Sequence, residues 1–433
     1  MGLINQSGLF SGAGLVDQAG LYNQAGLYVP GSFSILDLQP AAAYSLRSFD
    51  AAADPNVVNV RRSSDGATSD FTASEVSDGT LTDWVNTDYN RYTSDFSSGV
   101  DSWTPNGVTV SNPSDPVDPT NNVLQLTAAT TGSLRALQYS VLTVGQSYEI
   151  TAQVYIPSSN SEVNGVLFLD GYDVEGIFGD GEALPTDQWV TVTGSGVSEE
   201  SRPRIQLDGT DDDLNEVLSS NAIGDIVYVK NVQITQTTAD GHVTTWYDQS
   251  DNGNDSTQTT ASAQPKIVNA GTLVAGGIDF DGVDDFLDPV DVDDLAQPNT
   301  VISVSTTNAT GQTRGIYGLG DTIASASGYY RSSNAHAVFS GSTLEGASYS
   351  TGVEYLRFDV FNSTSTLVGV NGGSSIGDAG TTGMTHIQVG DSALNGVSPL
   401  DGSIAELIVY PSDQTENRTG IENNINDHYN IYS

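Results

Sequence analysis

The feature that most constrains this chain is a series of short segments in which apolar and polar residues alternate. Four clear cases are SYEITAQVYIP (147–157), NGVLFLDG (164–171), QWVTVTGSG (188–196) and DIVYVKNVQIT (225–235). Successive side chains of a strand point to opposite faces, so each segment fits a sheet with one buried face. Several such segments in one stretch favour two packed sheets. We therefore predict an all-β chain built from β-sandwiches.

The charge balance limits the partners of the chain. Its 433 residues include 54 Asp and Glu against 13 Lys and Arg, a formal net charge of −41. Such a surface repels nucleic acid, so we expect no nucleic-acid partner. No apolar run reaches transmembrane length and no basic-then-apolar leader opens the chain, so we expect neither membrane insertion nor a conventional signal peptide. Cysteine is absent, which excludes disulfides.

Residues 1–33 carry an array with a period of six, in which Gly-Leu recurs and a large apolar residue follows each Leu. The pattern is typical of hexapeptide β-solenoids, in which Leu points inward. An array this short cannot bury its apolar face alone, so we expect it to anchor the chain to another chain or to other copies of itself. A flexible glycine-rich leader is the alternative. The candidate anchoring and oligomerisation residues are Leu9, Phe10, Leu15, Leu21, Tyr22, Leu27 and Tyr28.

The segment from 92 to 237 resembles the jelly-roll carbohydrate-binding modules of the galactose-binding-like type. The resemblance rests on an opening Phe96, Gly99 and Trp103, on Trp189 at the start of a strand, and on a last strand at Val227–Ile234. It implies that this segment binds sugars.

The flanking segments resemble a concanavalin A-like jelly roll of the laminin-G type, as in arabinofuranosidase B and in modules of bacteriophage virion proteins. The strings that carry the resemblance are AYSLRSF (43–49), WYDQS (246–250) and FDGVDD (280–285). The tail fits it too, with a strand ended by Pro411 and then a helix with an apolar stripe. We therefore predict that residues 34–90 and 239–433 form this jelly roll and that residues 91–238 are inserted into it, as exposed loop tips allow.

Aromatic faces and a rim of amides and carboxylates are what a sugar site needs. Trp103 and Trp189 also fit a core, and the stretch after Trp246 also fits a turn in which Asp and Asn side chains bond the backbone. In that stretch Asp251 and Asp255 replace the Gly and His of the arabinofuranosidase-like pattern. The candidate glycan-binding residues are Tyr172, Trp103, Trp189, Tyr247 and Asp248.

Acidic residues cluster in the string IDFDGVDDF. Asp279, Asp281, Asp284 and Asp285 offer the oxygen ligands that Ca²⁺ prefers, so this string is the candidate calcium site. The same string also fits an ordinary strand–turn–strand connection, and its spacing is not that of a helix–loop–helix calcium loop.

Glycoside hydrolysis requires a pair of carboxylates across the scissile bond. Glu354, Asp359 and Glu406 lie in strand-like segments and are candidates, but none belongs to a recognisable catalytic motif. We can therefore assign no catalytic residues from the sequence, and we favour a protein that is not an enzyme.

The resemblances and the array together favour a non-enzymatic virion surface protein, a head decoration, fibre or tail spike. We expect it to be assembled in the host cytoplasm and anchored to other virion proteins by residues 1–33. We also expect it to be a homo-oligomer, with a trimer favoured, and to present sandwiches that bind host-surface glycans. Two alternatives remain: a glycoside hydrolase of arabinofuranosidase type with an inserted binding module, and a free lectin-like protein.

Overall fold

The structure is a computed structural model that describes residues 33–50, 52–170, 177–179, 183–209, 218–320, 325–392 and 398–433. The candidate anchoring residues of the array in residues 1–33 lie outside the described residues, and so does Tyr172. Their predicted roles therefore stay predictions. Within the described part of the chain, no helix is both long and apolar enough to cross a bilayer.

The predicted all-β class is confirmed, because strands dominate the described chain. The first strands are β1 (Ala42–Ser45), β2 (Asn56–Arg62) and β3 (Thr68–Thr72). The middle strands are β4 (Tyr89–Ser94), β5 (Thr104–Asn106), β6 (Val108–Ser111), β7 (Leu124–Ala128), β8 (Arg135–Leu137), β9 (Ser147–Tyr155), β10 (Gly165–Asp170), β11 (Ile177–Gly179), β12 (Trp189–Val197), β13 (Pro203–Asp208) and β14 (Ile226–Gln236). The later strands are β15 (Gly241–Trp246), β16 (Ser256–Thr257), β17 (Lys266–Asn269), β18 (Thr272–Leu273), β19 (Ile278–Asp281), β20 (Leu287–Leu295), β21 (Asn299–Ser305), β22 (Arg314–Gly318), β23 (Ser327–Tyr330), β24 (Ala335–Phe339), β25 (Thr343–Ser348), β26 (Tyr355–Phe361), β27 (Thr366–Val370), β28 (Gly373–Gly377), β29 (Met384–Val389) and β30 (Asp401–Tyr410).

The middle strands form two antiparallel sheets. One has the order β12-β9-β14-β7-β6, with β4 also paired to β14, and the other has the order β11-β10-β13-β8-β5. One apolar cluster draws from both sheets, with Ile150 and Val229 from the first and Phe168 and Ile205 from the second. The two sheets therefore pack face to face, and we call this unit the smaller sandwich.

The first and later strands form a second sheet system, the larger sandwich. Its strands β2 and β15 pair antiparallel, with Arg62 opposite Gly241, although the whole smaller sandwich lies between them in the chain. The two crossings between the sandwiches are adjacent, since Asn86 Oδ1 accepts a hydrogen bond from the backbone N–H of Ala239. An insertion of the smaller sandwich requires that the strands on either side of it in the chain, β2 and β15, lie together. The predicted domain boundaries at residues 90/91 and 238/239 stay a prediction.

The helices are short and lie at the margins of the larger sandwich: α1 (Ala73–Ser77), α2 (Thr80–Val85) and α3 (Arg418–Tyr429). α1 begins at a capping box, in which Thr72 and Glu75 each bond the other's backbone N–H. α3 buries Ile421 and Ile425 against Leu356 and Phe358 of β26. The apolar stripe predicted for the tail is thus confirmed.

Candidate functional site

The outer face of the β12-β9-β14-β7-β6 sheet carries the candidate site. Along β9, Tyr148, Ile150, Ala152 and Val154 are buried, while the side chains between them are not. Because side chains alternate between the faces of a strand, the residues between the buried ones point away from the core. Tyr155 belongs to this outward set.

Three aromatic rings lie side by side across this face. Trp189 on β12 is the register partner of Tyr155 on β9, and Tyr155 is the partner of Tyr228 on β14. The ring centroids of Tyr155 and Trp189 are 5.7 Å apart with planes at 58°, and those of Tyr155 and Tyr228 are 5.9 Å apart at 70°. All three side chains are half-buried. We call these three residues the aromatic row.

The row continues as polar side chains. Gln125 on β7 pairs with Tyr228, and Ser111 on the edge strand β6 pairs with Gln125. On the next register line, Thr191 lies opposite Gln153, whose amide oxygen accepts a hydrogen bond from Asn231 at 2.8 Å. The rings are therefore bordered by amides and hydroxyls.

An ion pair fixes the indole of Trp189. The indole Nε1 of Trp189 donates to Asp115 Oδ1 at 3.1 Å, and Lys230 Nζ lies 2.7 Å from Asp115 Oδ2. Asp115 is 2% exposed and also accepts from the backbone N–H groups of Val117 and Asp118. Burial acts to raise the pKa of Asp115, but Lys230 and these amides outweigh it and hold that pKa below its ordinary value. Asp115 is therefore an anion at neutral pH.

A small polar cavity of about 200 Å³ lies next to this ion pair. Its lining is made of carboxylates, amides, one hydroxyl and one ammonium: Asp95, Ser97, Asp115, Asn121, Asn122, Lys230 and Asn231. Such groups can donate to and accept from the hydroxyls of a bound molecule.

Sequence reasoning singled out only Trp189 in this group. It missed Tyr155, Tyr228, Asp115 and Lys230. The two tyrosines did leave a signal, because each stands at a polar position of a strand whose alternate residues are Val, Ile or Ala. An aromatic residue in the polar phase of such a strand is carried on the outer face.

Trp103 is corrected from candidate to core residue. It is 3% exposed, its Nε1 donates to the Tyr92 hydroxyl at 2.8 Å, and it packs with Phe96 and Leu124 in the smaller sandwich. Neither face of this ring is open to a ligand.

Tyr247 and Asp248 lie in a turn of the larger sandwich, directly after β15. The Tyr247 hydroxyl donates to Asp70 at 2.6 Å. Asp248 accepts from the backbone N–H groups of Ala43, Ser250 and Asn254 at 2.8–3.0 Å. The Asp248 carboxylate thus links β1 to the turn through hydrogen bonds. This agrees with the alternative interpretation of the sequence, a turn in which Asp and Asn side chains bond the backbone. Asp248 does not lie with the aromatic row.

The acidic string forms a compact turn. The carboxylates of Asp281, Asp284 and Asp285 lie within 4.8 Å of one another, while Asp279 is not part of this group. Asp281 Oδ1 accepts from the backbone N–H of Val283 at 2.8 Å. Burial and then the charge of Asp281 raise the pKa of Asp285, which is 5% exposed, to about 7. A divalent cation would relieve this crowding, and oxygen ligands suit calcium, so the calcium site stays a prediction for these three residues.

Two of the three candidate catalytic carboxylates are occupied in ion pairs. Asp359 lies 2.7 Å from Arg357 with both side chains buried, and Glu406, fully buried, lies 2.8 Å from Arg47. Neither can reach a substrate without breaking its pair. Glu354 is half-buried in a separate cavity of the larger sandwich.

No family model matches the chain, and no curated protein sequence matches it. Among solved structures, the chain is similar to the CBM22-2 xylan-binding domain of Xyn10C from Paenibacillus barcinonensis, at 18% identity and a TM-score of 0.28, covering 34% of this chain and 99% of that one. The tandem CBM22-1–CBM22-2 domain of the same protein matches at 13% identity and a TM-score of 0.28, covering 74% of this chain and 97% of that one. Trypanosoma rangeli sialidase matches at 12% identity and a TM-score of 0.32, covering 73% of this chain and 62% of that one. At these identities and TM-scores, none of the three assigns a function to the chain.

Proposed function

We propose that the chain is a glycan-binding protein and that the outer face of the smaller sandwich is its binding surface. The observation that carries the proposal is the aromatic row of Trp189, Tyr155 and Tyr228, with three half-buried rings on adjacent strands of one outer face. Aromatic side chains are favoured where one face of a ligand is apolar and its edge is polar, as in a sugar ring. The bordering amides and hydroxyls supply partners for the sugar hydroxyls.

The angles between the rings favour a single soluble glycan chain over a crystalline surface. Planes inclined at 58° and 70° do not form a flat platform. They present faces and edges to a ligand that lies between them. A soluble chain can turn its sugar rings to follow such a surface, whereas a crystal face cannot.

The charges around the row favour a neutral glycan. Lys230 is already paired with Asp115, and Asp187 stands close enough to Tyr155 to raise the pKa of its hydroxyl, after the larger effect of burial. Since the whole chain carries −41, a glycan with carboxylate or sulfate groups meets repulsion both near the row and at long range.

Affinity electrophoresis of the full chain tests this proposal. We expect retardation in native gels that contain neutral soluble polysaccharides such as arabinoxylan, glucomannan or galactomannan, and none in gels that contain hyaluronan or polygalacturonate. Retardation by the anionic polymers alone, or by no polymer of a broad neutral panel, would refute a neutral-glycan surface. The variant Tyr139→Ala is the matched control for ring removal, because Tyr139 is 51% exposed and follows β8 in the opposite sheet.

We propose in addition that residues 1–33 hold this binding surface on a virion as a homo-oligomer. The six-residue period of the array supports the proposal, because its apolar stripe requires a partner surface. Light scattering after size exclusion tests the oligomer: we expect a multimer for the full chain and a monomer for the full-length double variant Leu15→Asp/Leu21→Asp. Antibody labelling of particles tests the location. The anchoring role would be contradicted if the wild-type chain and the double variant were both monomers. It would also be contradicted if virus particles carried no antibody label.

A further inference from the structure

A second cavity, of about 730 Å³, lies in the larger sandwich and has no part in the glycan surface. It opens between α1, the chain after β1, the turn between β18 and β19, and the end of α3. Its volume is within the range of cavities that hold small organic ligands. We call it the α1–α3 cavity.

Most of the lining of the α1–α3 cavity is apolar. Val76 of α1, Leu46 after β1 and Leu273 of β18 contribute aliphatic side chains, and Ala405 of β30 lies among them. The capping box at Thr72 fixes the start of α1 and thereby this wall. An apolar body in this space is removed from water, which is favourable in proportion to its buried area.

Two glycines form another part of the wall. Gly276 and Gly277 have φ of +84° and +107°, and a Cβ on Gly277 would stand 2.3 Å from the carbonyl oxygen of Ile404. The turn therefore approaches β30 as closely as a backbone without side chains allows. Glu354 Oε1 lies 3.9 Å from the place that a Cβ on Gly276 would take, so the carboxylate stands against this wall.

The one strong cation of the lining is already neutralised. Arg47 donates to both carboxylate oxygens of Glu406, at 2.8 and 3.1 Å, and to Asn424 at 2.8 Å. Burial and then the charge of Arg47 lower the pKa of His428, which disfavours its charged form. Among the described residues of the lining, no positive charge is thus free to hold an anion.

Glu354 is the carboxylate that remains. Within the described part of the chain it makes no hydrogen bond or ion pair, and burial raises its pKa. Asp54, the other acid of the lining, is tied to the backbone N–H of Ser74 at 3.1 Å and to its hydroxyl. The cavity therefore combines an apolar wall with one half-buried carboxylate that has no partner among the described residues.

We propose that the α1–α3 cavity binds an amphipathic amine, a ligand with one ammonium group and an apolar body. The ammonium pairs with Glu354, where a charge-assisted hydrogen bond replaces the missing partner. The apolar body lies against Val76, Leu46 and Leu273. A sugar suits this lining less well, because two of its charged groups, Arg47 and Asp54, are already bonded within the chain and cannot meet sugar hydroxyls. The proposal is independent of the glycan surface, which lies on the other sandwich.

Three probes test the proposal on the full chain: 4-phenylbutylamine, 4-phenylbutanol and 4-phenylbutyrate. They share a phenyl-alkyl group and differ in the terminal polar group, and each is titrated calorimetrically at pH 7.5. We expect the amine to bind about tenfold or more tightly than the alcohol, and the carboxylate to bind weakest. Equal affinities for the three, or no binding of the amine at millimolar concentration, would overturn the proposal.

Two variants locate the bound amine. Glu354→Gln should weaken amine binding about tenfold and leave the alcohol unchanged, whereas Glu416→Gln, which removes an exposed carboxylate by the 3₁₀ turn before α3, should change neither. Ser77→Trp, at the exposed edge of the lining, should abolish binding of both probes by filling the cavity. If Glu354→Gln and Glu416→Gln bind the amine equally, or if Ser77→Trp binds it as the wild type does, the ligand lies elsewhere and the proposal fails. Glycan retardation should be unaffected in all three variants, which separates this test from that of the glycan surface.

Discussion

The Lys230 ammonium lies 4.0 Å from the centroid of the Trp189 ring. The same nitrogen is 2.7 Å from Asp115, to which the indole N–H also donates. One buried carboxylate thus holds both the cation and the ring edge, and the cation covers part of the ring face. Three residues that are far apart in the sequence therefore set the orientation of one end of the aromatic row.

Replacing Lys230 by Met should destabilise the smaller sandwich and weaken glycan binding together. The change keeps the apolar stem but leaves the carboxylate of Asp115 buried without its cation, which costs about 2–4 kcal/mol. Urea unfolding and affinity electrophoresis measure the two effects. Lys266→Met is the control, because its pair with Asp240 is more exposed, with side-chain exposures of 33% and 16%. The double variant Asp115→Asn/Lys230→Met should recover part of the lost stability; a further loss would contradict the assignment.

His336 should make the larger sandwich sensitive to acid. Its ring is fully buried between Tyr330 and Tyr355, and neither ring nitrogen is hydrogen-bonded to any described residue. Burial and then the charge of Arg357 lower its pKa to about 2. The unfolded chain binds a proton at this histidine below pH 6.5 and the folded chain does not. The free energy of unfolding therefore falls as pH decreases from 6.5, by at most about 1.4 kcal/mol per pH unit from this group.

The variant His336→Phe isolates that effect, because Phe fills a similar space and takes up no proton. The difference in unfolding free energy between the variant and the wild type should shift in favour of the variant by about 2 kcal/mol between pH 7 and pH 5. Stability curves that stay parallel over this pH range would show that His336 is not held neutral.

The close approach at Gly277 should make it far less tolerant of substitution than an open glycine. Gly277→Ala places a Cβ against the backbone of Ile404 and Ala405, and we expect a loss of about 3 kcal/mol or more. Gly66→Ala is the matched control, since Gly66 has φ of +77° but no atom within 4 Å of the added Cβ, so only the backbone strain of about 1 kcal/mol applies. Equal shifts of the thermal midpoint for the two variants would contradict the described wall of the α1–α3 cavity.

Calcium should stabilise the larger sandwich if the turn of Asp281, Asp284 and Asp285 binds it. At a calcium concentration a hundred times Kd, the free energy of unfolding should rise by about 2.7 kcal/mol and return after chelation. Asp285→Asn should remove this response, whereas Asp88→Asn, an exposed acid between the sandwiches, should keep it. If calcium does not change the unfolding midpoint of the wild-type chain, the turn is a purely structural connection.

The fold was predictable where a pattern is local. The alternation in 147–157 and 225–235 corresponds to β9 and β14, and the tail stripe of Ile421 and Ile425 corresponds to the buried face of α3. Pairing between distant segments is not written in such patterns. Nothing near Arg62 indicates that Gly241 lies opposite it, because sheet register depends on contacts that close only in the folded chain.

The candidate site shows the same limit. Trp103 and Trp189 carry the same side chain, yet one is buried in the core and the other lies on the outer face. Burial depends on the opposing sheet, which the local sequence does not reveal. Asp115 and Lys230 could not be matched in advance for the same reason, because 115 positions separate them. The phase of Tyr155 and Tyr228 within their strands was readable, and it is the signal to search for in chains of this kind.

The measurement that tests the account most directly is the affinity of a neutral glycan for Tyr228→Ala and Tyr139→Ala, determined side by side with a polysaccharide that retards the wild type. Tyr228 is the last ring of the aromatic row, and Tyr139 is an exposed ring that follows β8 of the opposite sheet. The account predicts that Kd rises about tenfold or more for Tyr228→Ala and stays within twofold of the wild type for Tyr139→Ala. If both variants bind as the wild type does, or if Tyr139→Ala alone loses affinity, the outer face of the β12-β9-β14-β7-β6 sheet is not the binding surface.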